Sequence, residues 1–204
     1  MQNFLDVSDG EVGCALLGKG LREYEVCDDN RRTIKLTLLR THRAYMTANG
    51  SMNVEELDKY TGQHSFGTLA YDYAIYPHSG DWQAADAMAA AYAFKVPVKA
   101  VQGVPLKGGL PVNGSLLKIS NEKQIMTSAL KLAENGKDLV LRVWNIGGET
   151  LPLTVETLLP VTGVQHVRLD ETVLESLPFG NGKFSAELGP HKIETFLLQL
   201  GEQL

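Results

Sequence analysis

Along most of the chain, apolar and polar positions alternate with period two, the spacing that sends successive side chains to opposite faces of a strand. Between Thr33 and Leu38, Ile34, Leu36 and Leu38 face one way and Thr33, Lys35 and Thr37 the other. Leu141 and Val143 oppose Arg142 within Leu139 to Trp144, and Phe184, Ala186 and Leu188 oppose Lys183, Ser185 and Glu187. The last such run, Ile193 to Leu200, carries Phe196, Leu198 and Leu200 on one face. Each run predicts a half-buried strand. Between them stand Gly18-Lys19-Gly20, Asp28-Asp29-Asn30, Lys107-Gly108-Gly109, Glu134-Asn135-Gly136, Gly147-Gly148 and Gly180-Asn181-Gly182. These residues reach positive φ at little cost, so they predict tight turns and hence antiparallel sheets packed as sandwiches.

One segment breaks the alternation. Trp82 to Lys95 is alanine-rich and favours helix, with Asp81 placed to cap its start and Val96-Pro97 to close it. Trp82, Ala85, Ala89 and Tyr92 would then form an apolar stripe lying on a sheet face. Ala48 to Gly67 reads as a long polar loop, of the kind that is often functional or packs on another domain. A Pro- and Gly-rich seam from Val104 to Gly114 predicts two domains, 1–103 and 104–204. The fold class is therefore mainly β, an antiparallel β-sandwich followed by a small C-terminal β-sandwich, with one helix near 82–95.

Composition narrows the function classes. The 204 residues are 44% apolar and 21% charged, enough for a real core. That length is short of the roughly 250 residues of a typical (β/α)8 barrel. Nineteen basic against 24 acidic residues give a formal net charge of −5, so no phosphate-binding field and no nucleic-acid partner is expected. No run of 18 apolar residues and no basic-then-apolar start is present, which predicts a cytoplasmic chain without a membrane partner.

The usual chemical motifs are missing. Cys14 and Cys27 have neither zinc nor redox spacing and read as free thiols. His42, His64, His78, His166 and His191 form no HExxH and no helical i, i+4 pair, and there is no GxSxG, GxGxxG or GxxxxGK[ST]. Glycoside hydrolysis needs two facing carboxyl groups. Asp6 with Asp9, Glu23 with Glu25, and Asp170 with Glu171 are near in sequence, but acidic residues beside turns are more often simply solvated. Trp82, Trp144 and Tyr73, candidates for a sugar-stacking platform, fit core-facing positions better.

Several stretches taken in order resemble the C-terminal β-region of glycoside hydrolase family 38, the α-mannosidases, in their bacterial, cytoplasmic form. They are Asn3 to Leu17, Gly20 to Val26, Lys35 to Arg40, the Tyr73-Ala74-Ile75-Tyr76-Pro77-His78-Ser79-Gly80-Asp81-Trp82 segment similar to a "YALYPHxGDW" signature, Leu139 to Asn145 similar to "LxLRxxN", and Leu188 to Phe196 similar to "LxPxxIxT". The resemblance implies that the first domain is the end of a galactose-mutarotase-like supersandwich and the second a small sandwich. It implies a retaining glycosidase acting on α-mannosides, whose zinc, zinc ligands, nucleophile and acid/base belong to an N-terminal α/β barrel that nothing here matches. No catalytic or metal residue carries over to this chain, and no cofactor is expected in it, zinc being implied for the catalytic domain. The implied partners are that barrel and, for the parent enzyme, an α-mannoside.

Arg22, Tyr24 and Glu25, on a strand after a glycine turn, are the candidates for reaching the sugar rim. The bland reading has Tyr24 packed on a neighbouring sheet and Arg22 paired with Glu25 in solvent. Two further readings stand beside the fragment of a glycosidase. A free-standing carbohydrate-binding sandwich would show coplanar exposed aromatics, whereas a fragment would show a bare apolar face. A homo-oligomer would associate through a free sheet edge or that face.

Overall fold

The computed structural model describes residues 1–41, 64–104 and 112–201. The long loop expected at 48–67 and the seam at 104–114 lie largely outside them. The chain forms two compact units, Met1–Val101 and Gln102–Leu204. Antiparallel sheets dominate, with one short helix, as the alternation pattern predicts.

In the first unit, β1 (Phe4–Ser8), β2 (Val12–Gly18) and β5 (Tyr73–Ser79) form a three-stranded sheet in the order β1-β2-β5. A separate hairpin pairs β3 (Tyr24–Val26) with β4 (Ile34–Leu36). The register places Phe4 opposite Leu17 and Ala74, Asp6 opposite Ala15 and Tyr76, and Ser8 opposite Gly13 and His78. Directly opposed residues share a face. One face is therefore Phe4, Asp6, Ala15, Leu17, Ala74, Tyr76 and His78. Helix α1 (Ala87–Lys95) covers it, with Ala15, Leu17, Ala87 and Ala91 as the buried centre and Phe4, Trp82 and Phe94 around them.

The helix differs from its expected extent and orientation. Asp81 does accept two backbone N–H groups, from Gln83 at 3.0 Å and Ala84 at 2.8 Å, but it caps a turn over 82–86 rather than α1. Asp86 then adopts a left-handed conformation, φ 55° and ψ 36°, which ends that turn, so α1 begins only at Ala87. The break rotates the buried stripe. Ala87, Met88 and Ala91 are buried, Ala89 is exposed, and the predicted stripe of Trp82, Ala85, Ala89 and Tyr92 does not form one continuous face.

The second unit is a sandwich of two antiparallel sheets. One has the order β11-β10-β13-β8-β7, the other β12-β9-β6. In chain order these strands are β6 (Leu117–Ile119), β7 (Ile125–Leu132), β8 (Leu139–Asn145), β9 (Leu151–Thr157), β10 (Val161–Val167), β11 (Val173–Leu177), β12 (Lys183–Leu188) and β13 (Ile193–Leu200). The core between the layers contains Leu141, Val143, Leu153, Val155, Val164, Phe184, Leu188, Phe196 and Leu198. Phe184 and Phe196 meet across it with ring centroids 5.1 Å apart, a tilted contact that adds to area burial. β13 departs from simple alternation: Leu197 is also buried, on the opposite face, against Ala133, Val140 and Val167. A central strand packed on both faces reads as a nearly continuous apolar run, which Phe196-Leu197-Leu198 is.

Asn181 and Gly182, at φ 52° and 72°, make the two-residue turn before β12, closed by paired Gly180 and Lys183 backbone bonds of 3.1 and 2.9 Å. Both positive φ values are what the type I′ hairpin demands, and Asn-Gly supplies them cheaply.

Candidate functional site

A buried polar pair of the first unit grows out of the Tyr76–Trp82 segment. His78 Nε2 lies 2.7 Å from Asp6 Oδ1, the side chains being 3% and 8% exposed. The hydrogen bond that His78 donates to the Asp6 carboxylate outweighs desolvation and raises the histidine pKa above its usual 6.5. The two residues sit on the outer strands, so the His78 ring has to cross β2, and it does so over Gly13. A Cβ at that glycine would lie 2.3 Å from His78 Cε1. The rest of the segment is equally structural. Tyr76 Oη donates to the Ala85 carbonyl at 3.0 Å, Gly80 turns at φ 72°, and Trp82 packs on Phe4 at 5.8 Å between centroids. The segment is a clasp that ties β5, β1 and the helical turn together. His78 Nδ1 is buried and finds no partner among the described residues.

The sequence-adjacent carboxylates do not form facing pairs. Asp6 is held by His78, while Asp9 accepts the Glu11 and Val12 backbone N–H groups at 2.9 Å, which keeps its carboxyl below the usual range. Glu23 pairs with Arg40 at 3.0 Å and Glu25 with Lys35 at 3.3 Å. Asp170 accepts the Thr172 N–H, and Glu171 pairs with Lys131 at 2.6 Å, each carboxyl again held low by its donors. These carboxylates have local structural partners, and consecutive strand residues diverge.

The same divergence separates the rim candidates. Arg22, Tyr24 and Glu25 all lie exposed at the β3–β4 hairpin. Tyr24 stands opposite Leu36 on one face, whereas Glu25 stands opposite Lys35 on the other and pairs with it rather than with Arg22. The backbone carbonyl of Arg22 accepts the Met1 amino group. The three side chains therefore do not converge on one ligand within this hairpin.

A different surface stands out on the first unit. The face of the β1-β2-β5 sheet opposite α1 carries Leu5, Val7, Val12, Leu16, Tyr73, Ile75 and Pro77. Val12, Tyr73 and Ile75 are 62%, 50% and 65% exposed. Beside them runs an open groove of about 620 Å³ lined by Val7, Val12, Cys14, Ile34 and the Asn30-Arg31-Arg32 turn. Tyr73, expected in a core, is thus half-exposed. The signal was present in the sequence, because Tyr73 to Ser79 is apolar at odd as well as even positions. By contrast the Asp6–His78 pair, 72 residues apart, left no local trace.

Among the described residues no three His, Cys, Asp or Glu side chains come close enough to hold a metal ion. No helix among them is long and apolar enough to cross a membrane. Among the described residues the exposed aromatics Tyr24, Phe66 and Tyr73 make no ring contact with one another, Phe66 meeting only His64.

Comparison with known proteins agrees with this picture of a β-rich body. Residues 124–196 match the family described as glycosyl hydrolases family 38 C-terminal beta sandwich domain. A protein of Halalkalibacterium halodurans named "Putative mannosylglycerate hydrolase" is 29% identical over 195 residues, covering 96% of this chain but 20% of that protein. Two Enterococcus faecalis crystal structures share the fold. One is an alpha-mannosidase, at 23% identity and a TM-score of 0.70 over 97% of this chain and 21% of its own. The other, described as a protein in the glycosyl hydrolase family 38, is 25% identical, with a TM-score of 0.72 and coverages of 97% and 22%. The chain spans about a fifth of the length of the relatives it matches.

Proposed function

We propose that this chain, whose residues 124–196 match the glycosyl hydrolases family 38 C-terminal beta sandwich domain, acts as the non-catalytic β-portion of a retaining glycosidase directed at α-mannosides. In this reading it packs on a zinc-dependent catalytic barrel and helps to shape the sugar site. One observation carries the proposal: the chain aligns almost end to end with proteins of which it covers about a fifth. The relatives' names, alpha-mannosidase and mannosylglycerate hydrolase, supply the substrate class.

The apolar face of the β1-β2-β5 sheet opposite α1, where Leu5 is buried but Val12, Tyr73 and Ile75 stand exposed, supports the docking half of the reading. Burying Val12, Tyr73 and Ile75 would contribute at roughly 25 cal/mol per Å² of apolar surface removed from water, a gain unrealised while they face solvent. A free-standing carbohydrate-binding module is favoured less, since it would need the stacked exposed aromatics that the described residues do not form. The reaction chemistry belongs to the catalytic partner in this reading. Arg22, Tyr24 and Glu25 remain the part of the hairpin nearest a rim role, with Tyr24 and Glu25 serving different faces.

The purified chain should release no product from 4-nitrophenyl α-mannoside or from mannosylglycerate, with or without added zinc. Turnover by the chain alone, unaffected by chelators, would overturn the proposal.

A further inference from the structure

The outer face of the β6-β9-β12 sheet holds a cavity of about 240 Å³. Strand register aligns Lys118, Glu156 and Lys183 in one row across the three strands. Their neighbours Leu117, Ile119, Val155 and Phe184 point into the sandwich core, so the three charged side chains rise together from the opposite face. Glu156 is taken by Lys183, 2.7 Å away, and that ammonium is the main reason its carboxyl is held below the usual range. Lys118 acts on Glu156 only at longer range and forms no ion pair among the described residues. The row of two ammonium groups and one carboxylate thus leaves one positive charge over.

The cavity wall is built. Gly182 lets the turn press onto the end of β9, where any Cβ would sit 2.9 Å from the Thr157 carbonyl. Its neighbour Asn181 lines the cavity, with Asn113 also in the lining. Side-chain amides both donate and accept, and Glu156 accepts, which is the mixture that sugar hydroxyls require. Among the described residues no aromatic lines the cavity, so a ligand there would be held by charge and hydrogen bonds rather than by stacking. The volume falls below the 300–1,000 Å³ of typical drug-sized sites, which suits one sugar ring rather than a chain.

We propose that this cavity binds an anionic monosaccharide, with its acid group on Lys118 and its hydroxyls on Asn113, Asn181 and Glu156. An ammonium serves as a point charge for a carboxylate or a phosphate alike. The site lies outside the rim and docking surfaces discussed above and does not depend on them.

Titrating the ¹⁵N-labelled chain with glucuronate, mannose 6-phosphate and mannose, and following amide resonances, tests this. Saturable shifts at Lys118, Glu156 and Gly182 are expected with at least one of the acids, weakened at least fivefold by Lys118→Gln and by 0.5 M salt, and unaltered by Lys99→Gln in the other unit. Saturation by one acid alone identifies the oxyanion; saturation by both means that the charge itself is read. Equal shifts with mannose, unchanged affinity in Lys118→Gln, or no saturable shift with either acid would overturn the assignment.

Discussion

Asn145 ends β8 with its side chain fully buried and every polar atom engaged. Its Nδ2 donates to the carbonyls of Glu149, Gly189 and Leu188 at 2.7, 2.9 and 3.2 Å, and its Oδ1 accepts the Gly147 N–H at 2.9 Å. One amide thereby fixes the β8–β9 turn and fastens it to the end of β12. Asn145→Ala strands the two partners that lie in buried bonds, the Leu188 carbonyl and the Gly147 N–H. Each unsatisfied buried group costs about 1–3 kcal/mol, so the loss comes to about 2–6 kcal/mol. Against the 5–15 kcal/mol typical of a domain, that removes a large share of the second unit's stability.

Asn145→Asp is isosteric and tests the direction of the hydrogen bonds. A carboxylate would aim an oxygen at three carbonyls, so its folded-state pKa rises above the unfolded value near 3.9. The penalty is then full above the folded pKa, shrinks as pH falls through it, and ends below the unfolded value, where the protonated acid can donate again. Urea unfolding in a Trp82→Phe background, followed by Trp144 fluorescence, reads the second unit alone. A loss under about 1 kcal/mol for Asn145→Ala, or an Asn145→Asp penalty that does not ease on acidification, would refute the argument.

Three further outcomes are expected. Gly13→Ala should destabilise the first unit by about 1–3 kcal/mol through overpacking, since its Cβ would meet His78 Cε1 at 2.3 Å and Ser8 Cβ at 2.7 Å; Trp82 fluorescence in Trp144→Phe measures it, and the loss should be only partly relieved in His78→Ala, where the Ser8 contact remains. The Asp6–His78 pair, with the histidine pKa raised by its partner, should stabilise the first unit fully below pH 6.5 and less as pH rises through the folded value; the urea midpoint should fall between pH 6 and 9 more in the wild type than in His78→Gln. Ile75→Lys on the exposed sheet face should change stability by no more than about 0.5 kcal/mol while lowering self-association and binding of an apolar dye; a large stability loss would mean that the face is already covered.

Local chemistry in the sequence determined three strands of the second unit, those within Leu139–Trp144, Lys183–Leu188 and Ile193–Leu200, together with the Asn181-Gly182 turn and the existence of one helix, while β6, β7, β9, β10 and β11 were not predicted from it. Alternation in Lys183–Leu188 and the Asn181-Gly182 pair each specify their geometry through neighbours alone. The order of the matched stretches also carried the family resemblance. Tertiary structure decided what depends on distant partners. A left-handed Asp86 reset the helix start and turned its buried face. The cross-strand pairing of Glu25 with Lys35 drew that rim candidate away from Tyr24. His78 met Asp6 across 72 residues only because β2 presents glycine between them, and Asn145 reached carbonyls 43 and 44 residues further on. Periodicity reports which side of an element is apolar; it contains no information on which element closes over that side, and the clasp, the buried amide and the bare sheet face all follow from that second choice.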